Sequence, residues 1–218
     1  MKERILSSFS ALLLNLCMLA FILWIVIAPW LMRHLMEHYA PPEDTRLPSE
    51  EYEPVVEMIC DYLQGDTPVF QHVFTVDGTE YAAFNQKEQQ HMADVQDLFR
   101  LCRFIAWLGW GIVLFGGLIA RRKFDWRAFR RTLLALLAIV VAVVVLACID
   151  FDSLFILFHK VAFTNDLWLL DPQTDLLIRL MPIEFFISYA AIIGGLWLAG
   201  MGILLAFVNH RIKITEGE

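Results

Sequence analysis

Residues 150–182 read DFDSLFILFHKVAFTNDLWLLDPQTDLLIRLMP. This stretch joins two long apolar runs, yet its composition is not that of a linker. Phe151, Phe155, Phe158, Phe163 and Trp168 crowd around a single imidazole, His159. Asn165, Asp166, Asp171 and Asp175 follow as polar groups able to orient a partner. Oily rings beside a titratable group describe a site at the edge of a bilayer, where one side is apolar and the other wet.

The runs on either side support that reading. Hydrophobic residues make up 58% of the chain, above the roughly one half usual in soluble domains. They cluster in four runs at 9–31, 104–120, 132–149 and 185–208. Each approaches or exceeds the roughly 20 residues that cross a bilayer core of about 30 Å. The expected fold is an all-α integral membrane protein, with four transmembrane helices and a small extracellular α+β cap. The basic start MKER precedes a run too long for a signal-peptide core and without a small-x-small cleavage site, so it reads as an uncleaved anchor. Cys17, Cys60, Cys102 and Cys148 form no CxxC or Cys/His cluster, and a Cys60–Cys102 disulfide stays open.

The order that follows is TM1 in 1–32, a cap segment in 33–103, TM2 in 104–120, a basic loop in 121–131, TM3 in 132–149, an interfacial segment in 150–184, TM4 in 185–208 and a tail in 209–218. The cap segment is acidic, with 14 Asp and Glu between Glu37 and Asp97. APPEDTRLPSEEYEP is expected to be extended. Pro54 is placed in the first turn of a short helix whose apolar face is Val55, Val56, Ile59, Tyr62 and Leu63, ended by Gly65. VFQHVFTV-DG-TEYAAF reads as a β-hairpin on an Asp-Gly turn. NQKEQQHMADVQDLFRLC returns to helical spacing. RRKFDWRAFRR, at 121–131, holds six Arg and Lys against one Asp. The positive-inside rule puts that loop and both termini in the cytoplasm, and both acidic segments outside. Such a loop suits anionic membrane lipids better than nucleic acid.

Each outward segment carries a histidine in helical, apolar surroundings. Asp94 lies three residues after His91, on the same helical face, so its carboxylate is a candidate to orient that ring. Phe155, His159 and Phe163 recur at steps of four on one face of a short helix capped by Asp152 or Ser153. Asp171-Pro172 is expected to cap and open another short helix. A lone histidine at a membrane edge is more often interfacial decoration than a catalyst, and a phenylalanine stripe more often faces lipid. His72, between Phe70 and Phe74 on one strand face, competes for a functional role. Metal-ligand spacing, a GxSxG elbow, an HExxH motif and a glycine-rich phosphate loop are all absent from the sequence.

Two motifs, QHMADVQDLF and FHKVAFTNDLWLLDPQTDLLIRLMPIEFF, resemble the bacterial lipoprotein intramolecular transacylase family. The resemblance implies four membrane helices under an extracellular cap, in the bacterial cytoplasmic membrane. It implies transfer of the sn-2 acyl chain of a diacylglyceryl lipoprotein to the α-amino group of its N-terminal cysteine, giving a lyso-form product. It also implies that His91 and His159 are catalytic.

Acyl movement from oxygen to nitrogen needs a proton acceptor and a proton donor, and histidines titrate in the right range. Their rings are expected within about 10 Å of each other. Phe155, Phe158 and Phe163 are the expected walls of the substrate pocket. Asp94, Asn165, Asp166, Trp168 and Asp171 are the expected supporting groups, with Asn165 and Trp168 as candidates to steady an oxyanion. No cofactor or metal is expected. The expected partners are a diacylated lipoprotein and membrane lipids, with no nucleic acid and with the oligomeric state open. Which histidine is the base also stays open. Two other readings remain beside this one: a non-catalytic membrane protein with a partner-binding acidic cap, and an ester hydrolase using the same histidines.

Overall fold

The computed structural model describes residues 2–119 and 124–217. In chain order the elements are α1 (Lys2–Val26), α2 (Pro29–Tyr39), α3 (Pro42–Thr45), α4 (Ser49–Gln64), β1 (Val73–Val76), β2 (Thr79–Ala82), α5 (Gln86–Ile119), α6 (Trp126–Ile149), α7 (Phe151–Ala162), α8 (Leu177–Leu180) and α9 (Ile183–Gly217). The chain divides into two compact units.

One unit comprises Met1–Trp24, Cys102–Asp150 and Ile192–Glu218. Among the described residues, three helices are long and apolar enough to cross a membrane: Lys2–Val26, Trp126–Ile149 and Ile183–Thr215. α6 exposes Leu134, Ile139, Val143, Leu146 and Ile149, a surface suited to lipid rather than water. The remaining expected span, 104–120, falls within the second half of α5, and its last residue lies outside the described residues, as do 121–123 of the basic loop.

Small residues let these helices approach closely, as is usual between apolar helices that gain nothing from hiding oil from oil. A Cβ on Gly109 would meet Cys17 Sγ at 1.9 Å and Cys17 Cβ at 2.7 Å. On Gly200 it would meet the sulfur of Met18 at 2.7 Å. Trp197 Nε1 donates to Asn15 Oδ1 at 3.3 Å. Gly109→Ala is therefore expected to destabilise the protein by about 1–3 kcal/mol, and Gly200→Ala by less, because a thioether can swing aside. Thermal unfolding of both variants in detergent checks the order.

The other unit comprises Ile25–Leu101 and Phe151–Ala191, so both polar segments fold together. Its centre is α2 against α4. Leu31, Met32, Leu35 and Met36 are buried on α2, and Val55, Val56, Ile59 and Leu63 on α4. Tyr52 Oη donates to Ala40 O at 2.8 Å, and Gln64 Nε2 to Ile27 O at 2.7 Å. The strands pair antiparallel with Phe74 opposite Tyr81. Asp77 and Gly78 both take positive φ, 51° and 78°, as a two-residue type I′ turn demands. Gln71 Nε2 closes the hairpin base by donating to Phe84 O at 2.8 Å. Phe70 packs between Tyr62 and Phe84, at ring distances of 5.1 and 4.5 Å.

Several expected boundaries shift. The first apolar helix ends at Val26, and Pro29 opens α2, because proline is preorganised for a first helical turn. The stretch expected to be extended contains α3 and the start of α4. Pro54 sits inside α4 rather than in its first turn, and the added turn carries Glu50 and Glu51 at the positive end of the helix dipole. α7 begins at Phe151, ahead of the expected caps Asp152 and Ser153. Asp171-Pro172 opens a single turn, with Asp175 N donating to Asp171 O at 2.8 Å. The helix that follows, α8, starts only at Leu177. α9 continues from Ile183 through the expected tail to Gly217. Cys60 and Cys102 are free thiols.

Candidate active site

His91 comes from α5 and His159 from α7. Both are buried, and their ring centroids lie 6.1 Å apart. Phe163 meets His91 edge-on at 5.2 Å. Phe155 lies 4.2 Å from the His159 ring, Trp168 5.0 Å and Phe158 5.3 Å. Phe163 is buried, while Phe158 stands at the exposed edge.

His159 Nδ1 lies 2.8 Å from Phe155 O. A carbonyl can only accept, so Nδ1 carries the proton and Nε2 of the neutral ring keeps its lone pair. His91 Nδ1 is buried and has no hydrogen-bond partner among the described residues. Burial pushes the His91 imidazole down to about 4, helped by the neighbouring His159 and Lys87 and opposed by Asp94. Burial also pushes His159 below the usual histidine range, against the Phe155 hydrogen bond.

The sign of the resulting pH dependence follows from linkage. Between the ordinary 6.5 and about 4, the unfolded chain binds a proton at residue 91 that the folded chain refuses. Stability is therefore fully present above about 6.5 and falls as pH drops to about 4, by about 3 kcal/mol. Thermal unfolding across that range should show a shallower slope in His91→Gln than in the parent.

The supporting residues divide sharply. Asp94 does not bond the His91 ring. Its Oδ2 instead accepts from Asn165 Nδ2 at 2.8 Å. Asn165 Oδ1 accepts from Leu167 N at 3.1 Å, and its carbonyl accepts from Trp168 Nε1 at 2.9 Å. Trp168 thus lies against His159 with its indole N–H donated to a backbone carbonyl. Asp166 is exposed and contributes its backbone carbonyl, which accepts from Leu169 N at 3.2 Å. Asp171 is exposed too, and its carboxylate accepts from Gln173 N at 2.9 Å inside its own turn. His72, the competing histidine, is paired with Glu51 at 2.7 Å.

A second set of residues holds the two histidine-bearing segments together. Asn85 caps α5: its Oδ1 accepts from Glu88 N at 3.1 Å while Glu88 Oε2 accepts from Asn85 N at 2.8 Å. That is a capping box. The other Glu88 oxygen, Oε1, accepts from Leu177 N at 2.7 Å. Asn85 Nδ2 donates to Asp175 Oδ1 at 2.8 Å, and Lys87 Nζ donates to Leu169 O. The Asn85-x-x-Glu88 spacing was the available sequence signal for the cap; nothing in it points to Leu177.

One unit holds long apolar helices suited to a membrane, and the other brings a buried histidine pair into an aromatic nest, a combination that fits an integral membrane enzyme. The chain belongs to the lipoprotein intramolecular transacylase Lit family, whose model matches residues 7–186. It is an acyltransferase of that family. Among solved structures, the membrane-integral lipoprotein intramolecular transacylase Lit from Bacillus cereus is similar in fold, with a TM-score of 0.76 at 18% identity over 100% of this chain and 99% of that one. A histidine-to-alanine variant of the Bacillus cereus protein aligns at a TM-score of 0.71 and 18% identity, covering 100% and 96% of the two chains. No curated protein matches the chain.

Proposed function

We propose that the protein moves the sn-2 acyl chain of a diacylglyceryl lipoprotein onto the α-amino group of the same molecule's N-terminal cysteine, with His91 and His159 as the acid/base pair. The observation that carries this reading is the convergence of two buried imidazoles from separate segments, 6.1 Å apart and walled by aromatic rings. His159 Nε2 accepts the proton from the attacking nitrogen. The N–C bond forms at the acyl carbonyl carbon as that carbon's bond to the glyceryl sn-2 oxygen breaks. The departing oxygen takes a proton delivered through His91, whose burial makes its protonated form the stronger acid of the two. One proton leaves nitrogen and one reaches oxygen, so the enzyme ends unchanged. Because nucleophile and ester belong to one substrate, holding the headgroup folded supplies much of the rate. The aromatic walls exclude the water that would hydrolyse the ester.

The protein is placed in the bacterial cytoplasmic membrane on four spans, the fourth being the second half of α5. Both termini and the basic loop face the cytoplasm, and the histidine-bearing unit faces outward. The charge segregation along the chain supports this arrangement. A cysteine at position 126 should resist impermeant thiol reagents in intact cells; labelling there contradicts the orientation.

Tandem mass spectrometry of a lipoprotein from expressing cells tests the activity. Transfer leaves the mass unchanged and blocks the amine. Loss of one acyl chain indicates hydrolysis instead, and no change indicates a binding protein.

A further inference from the structure

Three carboxylates stand around the histidine-bearing turns, and two of them are fully engaged. Both oxygens of Glu88 accept backbone N–H groups. Asp175 Oδ1 accepts from Asn85 Nδ2 and Thr174 Oγ1, and its Oδ2 accepts from Asp171 N. Asp94 is different. Asn165 holds its Oδ2, while Oδ1 has no hydrogen-bond partner among the described residues. Asp94 is half-buried and lies one turn after His91, whose Nδ1 is buried and equally without a partner. Its charge acts on the His91 ring without bonding it. One turn of α5 therefore presents a fixed carboxylate oxygen and a ring nitrogen that both lack a hydrogen-bond partner among the described residues. The group that satisfies such a pair is a cation bearing several N–H bonds. The proposed substrate has one beside its reacting ester: the α-amino group, an ammonium ion in water.

We propose that Asp94, anchored by Asn165, is the subsite that receives the substrate's α-amino group and selects lipoproteins with a free N-terminus. The inference rests on the transacylase reading above. The bound ammonium first loses one proton to water by way of the histidine pair. The neutral amine then attacks, its second proton is the one passed on to the glyceryl oxygen, and Asp94 stays ionised throughout. Transfer turns the nitrogen into a neutral amide with one N–H. The product then loses its charge attraction to Asp94, which favours release. Asp94 binds the reacting nitrogen rather than orienting His91.

The test uses two diacylglyceryl lipopeptides with an ether in place of the sn-2 ester, so neither can react. One has a free amine and the other is N-acetylated. The full-length protein in detergent should bind the free-amine form at least about tenfold more tightly, the worth of one charge-assisted hydrogen bond. Asp94→Asn keeps an acceptor for Asn165 and should bring the two affinities within about twofold of each other. Binding of the acetylated form should be unchanged in the variant. Equal binding of the two forms by a parent protein that makes lyso-form product overturns the amine subsite alone, as does a preference that survives in Asp94→Asn. A parent protein that makes no lyso-form product overturns the functional reading, and this inference with it.

Discussion

His91→Ala and His159→Ala are each expected to lower acyl transfer by about 10²–10⁴-fold, the usual worth of a positioned acid or base. The expectation rests on geometry. The two rings lie 6.1 Å apart, and the Phe155 carbonyl leaves Nε2 of His159 as its accepting atom. Proton acceptance at nitrogen and delivery to oxygen are halves of one event, so the double variant should be scarcely slower than either single one. His72→Ala is the control. That ring is paired with Glu51 at 2.7 Å, and its loss should leave transfer near the parental rate. Rates are read from lyso-form product per mole of inserted protein, so that misfolding is not scored as lost chemistry.

The second large effect is expected at Glu88, a carboxylate only 1% exposed. Its two oxygens accept from Asn85 N and Leu177 N, tying the start of α5 to the segment that follows α7. Glu88→Ala strips both donors of their acceptor inside the protein, at about 1–3 kcal/mol for each. Stability should fall by several kcal/mol, and transfer with it, since His91 lies one turn beyond the cap. Glu88→Gln keeps one carbonyl oxygen and should lie between the two. Burial raises the Glu88 carboxyl above its usual range, so the cost of the glutamine variant lies in the one acceptor it loses rather than in the charge it gives up. Thermal unfolding and transfer measured on the same preparations decide the matter; an alanine variant as stable as the parent removes Glu88 from the account.

The parts legible in the sequence were those set by local pattern. Apolar runs announce helices because each residue in lipid must hide its own backbone. Asp77-Gly78 announces its hairpin because both positions need positive φ. The histidines stood out through their aromatic neighbours and the two motifs around them. What could not be read depends on groups far apart in the chain. Asp94 lies beside His91 in sequence, but its partner, Asn165, is 71 residues away. Glu88 reads as a cap, yet its second oxygen reaches Leu177, 89 residues on. Trp168 looked like a free donor until the carbonyl of Asn165 took its N–H. Pro54 was placed by its preference for first turns, and the acidic turn before it extended the helix instead.

The central claim is that one substrate molecule passes its own acyl chain from oxygen to nitrogen across the His91–His159 pair. The most direct measurement mixes two diacylglyceryl lipopeptides with the purified protein, one carrying a heavy isotope in its sn-2 acyl chain and the other in its peptide. The account predicts that heavy acyl appears as an N-terminal amide only on light peptide, with the total mass unchanged, and that His159→Ala forms neither product. Heavy acyl on heavy peptide, or heavy fatty acid released into solution, would contradict it.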